Sequence, residues 1–246
     1  TTEIYTLSLH DALPICKAKY YKTVDELKKL LGNGCLNYLS YNLAKVYHGI
    51  VRKSVLEEIK NRTGHYVGGL SPDIYLSVAS SVLIDEVLVI DYPLTISGIC
   101  RNSGSSDSST GKHTGELSQA PHFKGQVNYQ WSRIVPPFYS VESIWADSAL
   151  AAVKEVANDK FLKYFRLGIL STYCIKAYPQ YKKLIIENMA NYYNISEFSI
   201  FMKLHRAFGS IRLSLNTVVK KGVSKILNAK RSKRINNISD IDTASE

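Results

Sequence analysis

Apolar and polar residues alternate along this chain with several distinct periods. In KAKYYKTVDELKKLL, residues 17 to 31, Val24, Leu27, Leu30 and Leu31 recur at helical spacing, and Gly32 and Gly34 follow as stops; the pattern predicts an amphipathic helix. Val46 to Val51 reads as a short strand or buried loop, followed by a helix over about 53 to 62 that closes near Gly64. Ser71-Pro72-Asp73 is a helix start, with Ser71 as N-cap, Pro72 at the first helical position and Asp73 at the positive end of the dipole. That helix turns Ile74, Val78, Val82 and Ile84 inward. Val87 to Ile90 and Pro93 to Gly98 are β-prone. The run RNSGSSDSSTGKHTGE, 101 to 116, has almost no apolar residue and predicts a mobile loop. Ser140 caps a helix to about Ala157, with Glu142 and Glu155 solvated and Ile144, Ala149, Leu150 and Val153 inside. Helical patterns follow over 160 to 176, 179 to 192, 196 to 208 and on to about 228, ahead of a polar tail.

The opening stretch TTEIYTLSLHDALPIC fits none of this: its alternation is weak and it has no features of a secretory leader. Read back into codons, Thr1 to Ile15 resembles a common sequencing-library adapter, so residues 1–16 are expected to be an adapter-derived artefact, with natural coding sequence continuing upstream. The expected organisation is then a partial α/β domain over 17–157, a helical extension over 158–235 and a disordered tail over 236–246.

Composition narrows the partners. The 45% hydrophobic share and 17 tyrosines support a packed core. There are 31 Lys+Arg against 21 Asp+Glu, a net charge of +10; without Glu3 and Asp11 the balance becomes 31 − 19 = +12. That excess favours anionic partners such as nucleotide phosphates, acidic headgroups or nucleic acid. Cys35, Cys100 and Cys174 are far apart and form no C-x-x-C pair, which fits a reducing cytoplasm better than a disulfide framework. No stretch reaches the roughly 18 apolar residues of a membrane span.

The segment GHYVGGLSPDIY, 64 to 75, carries the most chemistry. It places Asp73 on the first turn of a helix, after glycines that let a ligand approach the backbone. A carboxylate there suits a general base and equally suits an ordinary helix start. Together with VYHGIVRKSVL (46 to 56) and DYPLTISG (91 to 98), this segment resembles the second half of family-two glycosyltransferases of bacterial polysaccharide biosynthesis, over about residues 46 to 155. The resemblance implies a truncated GT-A-like fold with few strands, and transfer from a nucleotide-sugar donor to a sugar or lipid-linked acceptor. It carries the catalytic base onto Asp73, with His65, Tyr66, Gly69 and Ser71 expected at the substrate. Pro72 stands where many relatives carry the first acid of a Glu-Asp pair. Arg101, Lys112 and His113 are expected to close over the departing diphosphate, or else to remain solvated.

The family's D-x-D metal motif is expected upstream, so the divalent Mg or Mn ion has no ligands assigned in this chain; Asp240-Ile-Asp242 lies in the polar tail. His48, His65, His113, His122 and His205 are candidate further ligands, and His65 and His113 stand out by their neighbours. Between 218 and 234, Lys220, Lys221, Lys225, Lys230, Arg231, Lys233 and Arg234 alternate with apolar residues, which suits a helix lying on an anionic inner-membrane face and equally a solvated terminal helix packed on the body. The competing function is a basic non-enzymatic module binding RNA or DNA, which the charge favours and no nucleic-acid motif supports.

Overall fold

The computed structural model describes residues 17–47, 49–91, 113–123 and 129–194. The adapter-like opening, 92–112 with Arg101 and Lys112, and everything after 194 with the basic stretch lie outside the described residues.

The described part is mixed α/β, with helices forming the body and two small antiparallel sheets at its edges. Strand β1 (Ala18–Lys22) pairs with β2 (Glu86–Ile90), Tyr20 opposite Leu88. Strand β3 (Thr114–Glu116) pairs with β4 (Phe138–Ser140), Gly115 opposite Tyr139. The helices are α1 (Thr23–Gly32), α2 (Lys53–Thr63), α3 (Pro72–Leu83), α4 (Val141–Ala157), α5 (Leu167–Ala177) and α6 (Lys182–Tyr193).

Helices α3 and α4 are the centre. Ile74, Tyr75, Val78 and Ala79 of α3 are fully buried, as are Ser77, Ser80 and Ser81, so this helix is enclosed on nearly every side. Helix α4 likewise buries small residues (Ala146, Ala149, Ala152), and among the described residues these two helices make the broadest helix–helix contact. The start of α4 is fixed by a capping box: Ser140 Oγ accepts from the Ser143 amide, and Ser143 Oγ accepts from the Ser140 amide. Ser140 is thus both the last residue of β4 and the cap of α4, which joins the second sheet rigidly to the central pair.

Several expectations are corrected. The predicted helix over 17–31 begins only at Thr23, because Ala18–Lys22 has a partner in β2 and the buried stripe of Leu27, Leu30 and Leu31 starts further on. The described residues among 46–51 form no strand, and only the ends are half-buried: Val46 packs on the core, whereas Tyr47 is exposed and Ile50 is 98% exposed. Thr114–Glu116, predicted as mobile loop, is β3. The helix expected over 160–176 is divided into a 3-10 turn, Leu162–Tyr164, and α5, which starts only at Leu167. Glu142 and Glu155 are not simply solvated; Glu142 accepts from the Tyr178 hydroxyl at 2.7 Å, and Glu155 accepts from that of Tyr75.

The core runs across the boundary expected near 157. Phe161, Leu170, Ile185 and Met189 belong to the same buried cluster as Leu27, Ile74 and Val153. The Arg166 amide donates to the Leu31 carbonyl, and Gly34 (φ 64°) lies so close to Leu170 that a Cβ would stand 2.8 Å from its nitrogen. Cys35 and Cys174 are free and buried, and burial pushes both thiols up, so neither is a reactive nucleophile.

Candidate functional site

The helix start predicted at Ser71 is present, with Pro72 first and Asp73 second. The side chain of Ser71 does not cap the helix, however. Its hydroxyl donates to Asp73 Oδ1, while the Tyr38 hydroxyl donates to Asp73 Oδ2. Tyr38 lies on a short 3-10 turn, Tyr38–Ser40, almost fully buried with its ring edge-on to Trp145 at 4.8 Å. Burial and the adjacent carboxylate push the Tyr38 hydroxyl well above its ordinary value, so it stays protonated as a donor. Asp73 is half-buried. A carboxylate has about four lone-pair directions, so two hydroxyl donors orient it and leave acceptor capacity for a substrate proton.

The strap leading to this carboxylate is held from behind. Ser148 Oγ accepts from the Leu70 and Ser71 amides at 3.0 and 2.9 Å. Gly69 (φ 66°) rests on that serine, and a Cβ there would meet Ser148 at 2.8 Å. The glycine therefore serves close approach to α4, whereas the sequence suggested approach to a ligand.

The expected site residues divide into two groups. Ser71 belongs with Asp73. His65 instead packs by Tyr75, its ring centroid 6.0 Å away and its Nε2 3.5 Å from Glu155 Oε2. Tyr66 donates to Glu57 at 3.0 Å. Residues two apart on a helix do not share a face, so the cluster around Tyr75 stands away from Asp73.

His113 comes to the Asp73 side by an unforeseen route. It immediately precedes β3 and packs on Tyr139 at 4.8 Å and on His122 at 5.2 Å. A small second core of Leu70, Ala120, Tyr139 and Ile144 brings the strap before α3 against the turn Pro121–Phe123. Asp73 lies near enough for its charge to raise the His122 pKa, against the larger lowering by burial. Tyr38 and His122 were the residues that sequence reasoning missed or passed over. Neither sits in a periodic or motif-like context; only the fold brings Tyr38 onto Asp73 and His122 within range of its charge. The concave surfaces around Gln180, Lys183 and Glu187 share no lining residue with this corner.

No family model matches the chain, and no curated protein or solved structure matches it. The site must therefore be read from its own chemistry.

Among the described residues no group of three or more His, Cys, Asp or Glu could hold a metal ion, so the described residues by themselves form no metal centre. Among them, too, no helix is long and apolar enough to cross a membrane.

A third carboxylate belongs to the scaffold. Asp147 of α4 is 1% exposed and accepts from Tyr129 Oη at 2.5 Å and the Ser132 amide at 2.8 Å. Burial raises its pKa to about 6, against the lowering by both donors.

Proposed function

We propose that this chain contains the acceptor half of an inverting GT-A-type glycosyltransferase that uses a nucleotide-sugar donor, of the kind found in bacterial polysaccharide or glycoconjugate synthesis, with Asp73 as general base. The observation that carries this reading is the half-buried carboxylate at the start of α3, oriented by two hydroxyl donors and still able to accept. It is joined by the resemblance of residues 46 to 155 to family-two enzymes.

In the reaction, the acceptor hydroxyl passes its proton to Asp73 as its oxygen bonds to the anomeric carbon. The bond from that carbon to the nucleotide diphosphate breaks, and the configuration inverts. Ser71 and Tyr38 hold the base at the correct angle. A divalent ion and a nucleotide-binding half would complete such an enzyme. The acceptor is a sugar or lipid-linked sugar, and the enzyme acts at the cytoplasmic side, with 218–234 as its membrane contact.

The test is transfer from nucleotide sugars by a protein that joins a nucleotide-binding half to these residues. Asp73→Asn should abolish turnover and leave donor affinity nearly unchanged; undiminished turnover removes Asp73 from the chemistry.

A further inference from the structure

The outer face of the β1–β2 sheet is apolar where a solvated face would be polar. Directly opposed residues of an antiparallel pair share a face, so Ala18 with Ile90, Tyr20 with Leu88 and Lys22 with Glu86 form one surface. All six are exposed, Tyr20 at 66%, Leu88 at 42% and Ile90 at 44%. Tyr21, Val87 and Val89 alternate with them and are half-buried on the other face. An antiparallel sheet with one face on a core commonly presents polar side chains on the other. Single exposed apolar residues are ordinary, whereas four in one block mark a contact surface. The sheet is also tied at both ends: the Thr23 amide donates to the Asp85 carbonyl at 3.0 Å, and the Asp91 amide to the Lys17 carbonyl at 2.8 Å. The block therefore has a fixed shape.

Charge selects what covers it. Beside the apolar block stand one cation and one anion, Lys22 and Glu86, with Asp85 exposed next to them. A nucleic acid or an acidic bilayer would meet these carboxylates, and a purely apolar partner would dehydrate the charged pair without replacing its bonds. A second copy of the chain satisfies every position. Packed sheets lie about 10 Å apart. When two of these faces stack about a two-fold axis parallel to the strands, β1 of one copy lies over β2 of the other. Lys22 then faces the second copy's Glu86, Tyr20 faces its Leu88 and Ala18 faces its Ile90, each contact made twice. An axis across the strands would set Lys22 over Ala18 and Glu86 over Ile90, burying charge against apolar groups. Pairing along a strand edge would leave the apolar block in water.

We propose that this chain forms a two-fold dimer through the outer face of the β1–β2 sheet, with Ala18, Tyr20, Leu88 and Ile90 at its centre and reciprocal Lys22–Glu86 ion pairs at its rim. The contact is independent of Asp73 and of the glycosyltransferase reading. Because the face is small, the dimer is weak, with a Kd on the order of 10–100 μM.

The test is sedimentation equilibrium of the full chain, loaded from about 5 to about 500 μM to span that Kd. The mass should rise with concentration from one copy toward two. Leu88→Asp should hold it at one copy, with the circular dichroism unchanged because residue 88 is exposed. The charge reversals Lys22→Glu and Glu86→Lys should each weaken self-association about tenfold or more. Mixed in equal amounts, the two reversed chains should dimerise as tightly as wild type. Every charge then faces its opposite across the interface, while the like-charge pair within each chain remains, so the rescue separates a contact between copies from damage within one sheet. A wild-type chain that stays monomeric over the whole range overturns the proposal. So does a dimer that Leu88→Asp leaves intact, or a pair of reversed chains that do not rescue each other.

Discussion

Asp73 and Asp147 have nearly the same partners and opposite uses. Each accepts a tyrosine hydroxyl and one further hydrogen bond, and each lies on one of the two central helices. Asp147 is enclosed, and its donors tie the segment 129–132 to α4. Asp73 is half-buried, at the free end of α3, with acceptor capacity left over. A tyrosine–carboxylate pair therefore does not by itself mark a site; Tyr75–Glu155 and Tyr178–Glu142 repeat it elsewhere. What separates a working carboxylate from a fastening one is the acceptor capacity left over and whether anything can reach it.

The difference can be broken most sharply through activity. Asp73→Asn should lower transfer by about 10²–10⁴-fold in the joined enzyme, the range of a lost general base, with the urea midpoint almost unmoved. Asp147→Ala should do the reverse in kind. It orphans the Tyr129 hydroxyl and the Ser132 amide in a dry interior, and should cost about 3–4 kcal/mol of stability in urea titrations. Equal destabilisation by the two changes would erase the distinction.

Titration sharpens it further. The folded pKa of Asp147, about 6, lies above the 3.8 of an ordinary aspartate. The folded state thus binds this proton more tightly than the unfolded one. Its stabilising effect is full below about pH 4 and is lost as pH rises through about 6, a difference of about 3 kcal/mol. Other carboxylates titrate in the same window, so the quantity to measure is wild type minus Asp147→Asn. The asparagine can still accept from Ser132 and face Tyr129, and it should remove this dependence. A constant difference from pH 4 to 7 would show that Asp147 ionises normally.

The elements were legible wherever a local signal agreed with burial. The start of α3 follows from Ser-Pro-Asp, the end of α2 from Gly64, and the start of α4 from Ser140. The stripe of Leu27, Leu30 and Leu31 also reads correctly, although its helix does not extend back to Lys17: strand pairing with residues nearly 70 positions away overrode the local pattern. The site was half legible. Asp73 and Ser71 stand out by sequence. Tyr38 and His122 do not, because their selection depends on a 3-10 turn and on the small core that joins Leu70 to Ala120. Sequence proximity does not translate directly into space: His65 packs by Tyr75 and Glu155, and Tyr66 bonds Glu57, while Asp73 is bonded by Ser71 and Tyr38.

The smallest effect tests the geometry of the base itself. Tyr38→Phe removes only the hydroxyl that donates to Asp73 Oδ2 and keeps the ring packed on Trp145. Because Asp73 is half-buried, water can replace the lost donor, and stability should fall by about 1 kcal/mol or less. Transfer should fall more than binding: a carboxylate free to rotate still meets the acceptor but loses its angle of attack. The expected outcome is about a tenfold drop in kcat with KM changed less than about twofold. The same loss carried by KM would instead place the Tyr38 hydroxyl in contact with substrate, and no loss in either would mean that Ser71 alone orients Asp73.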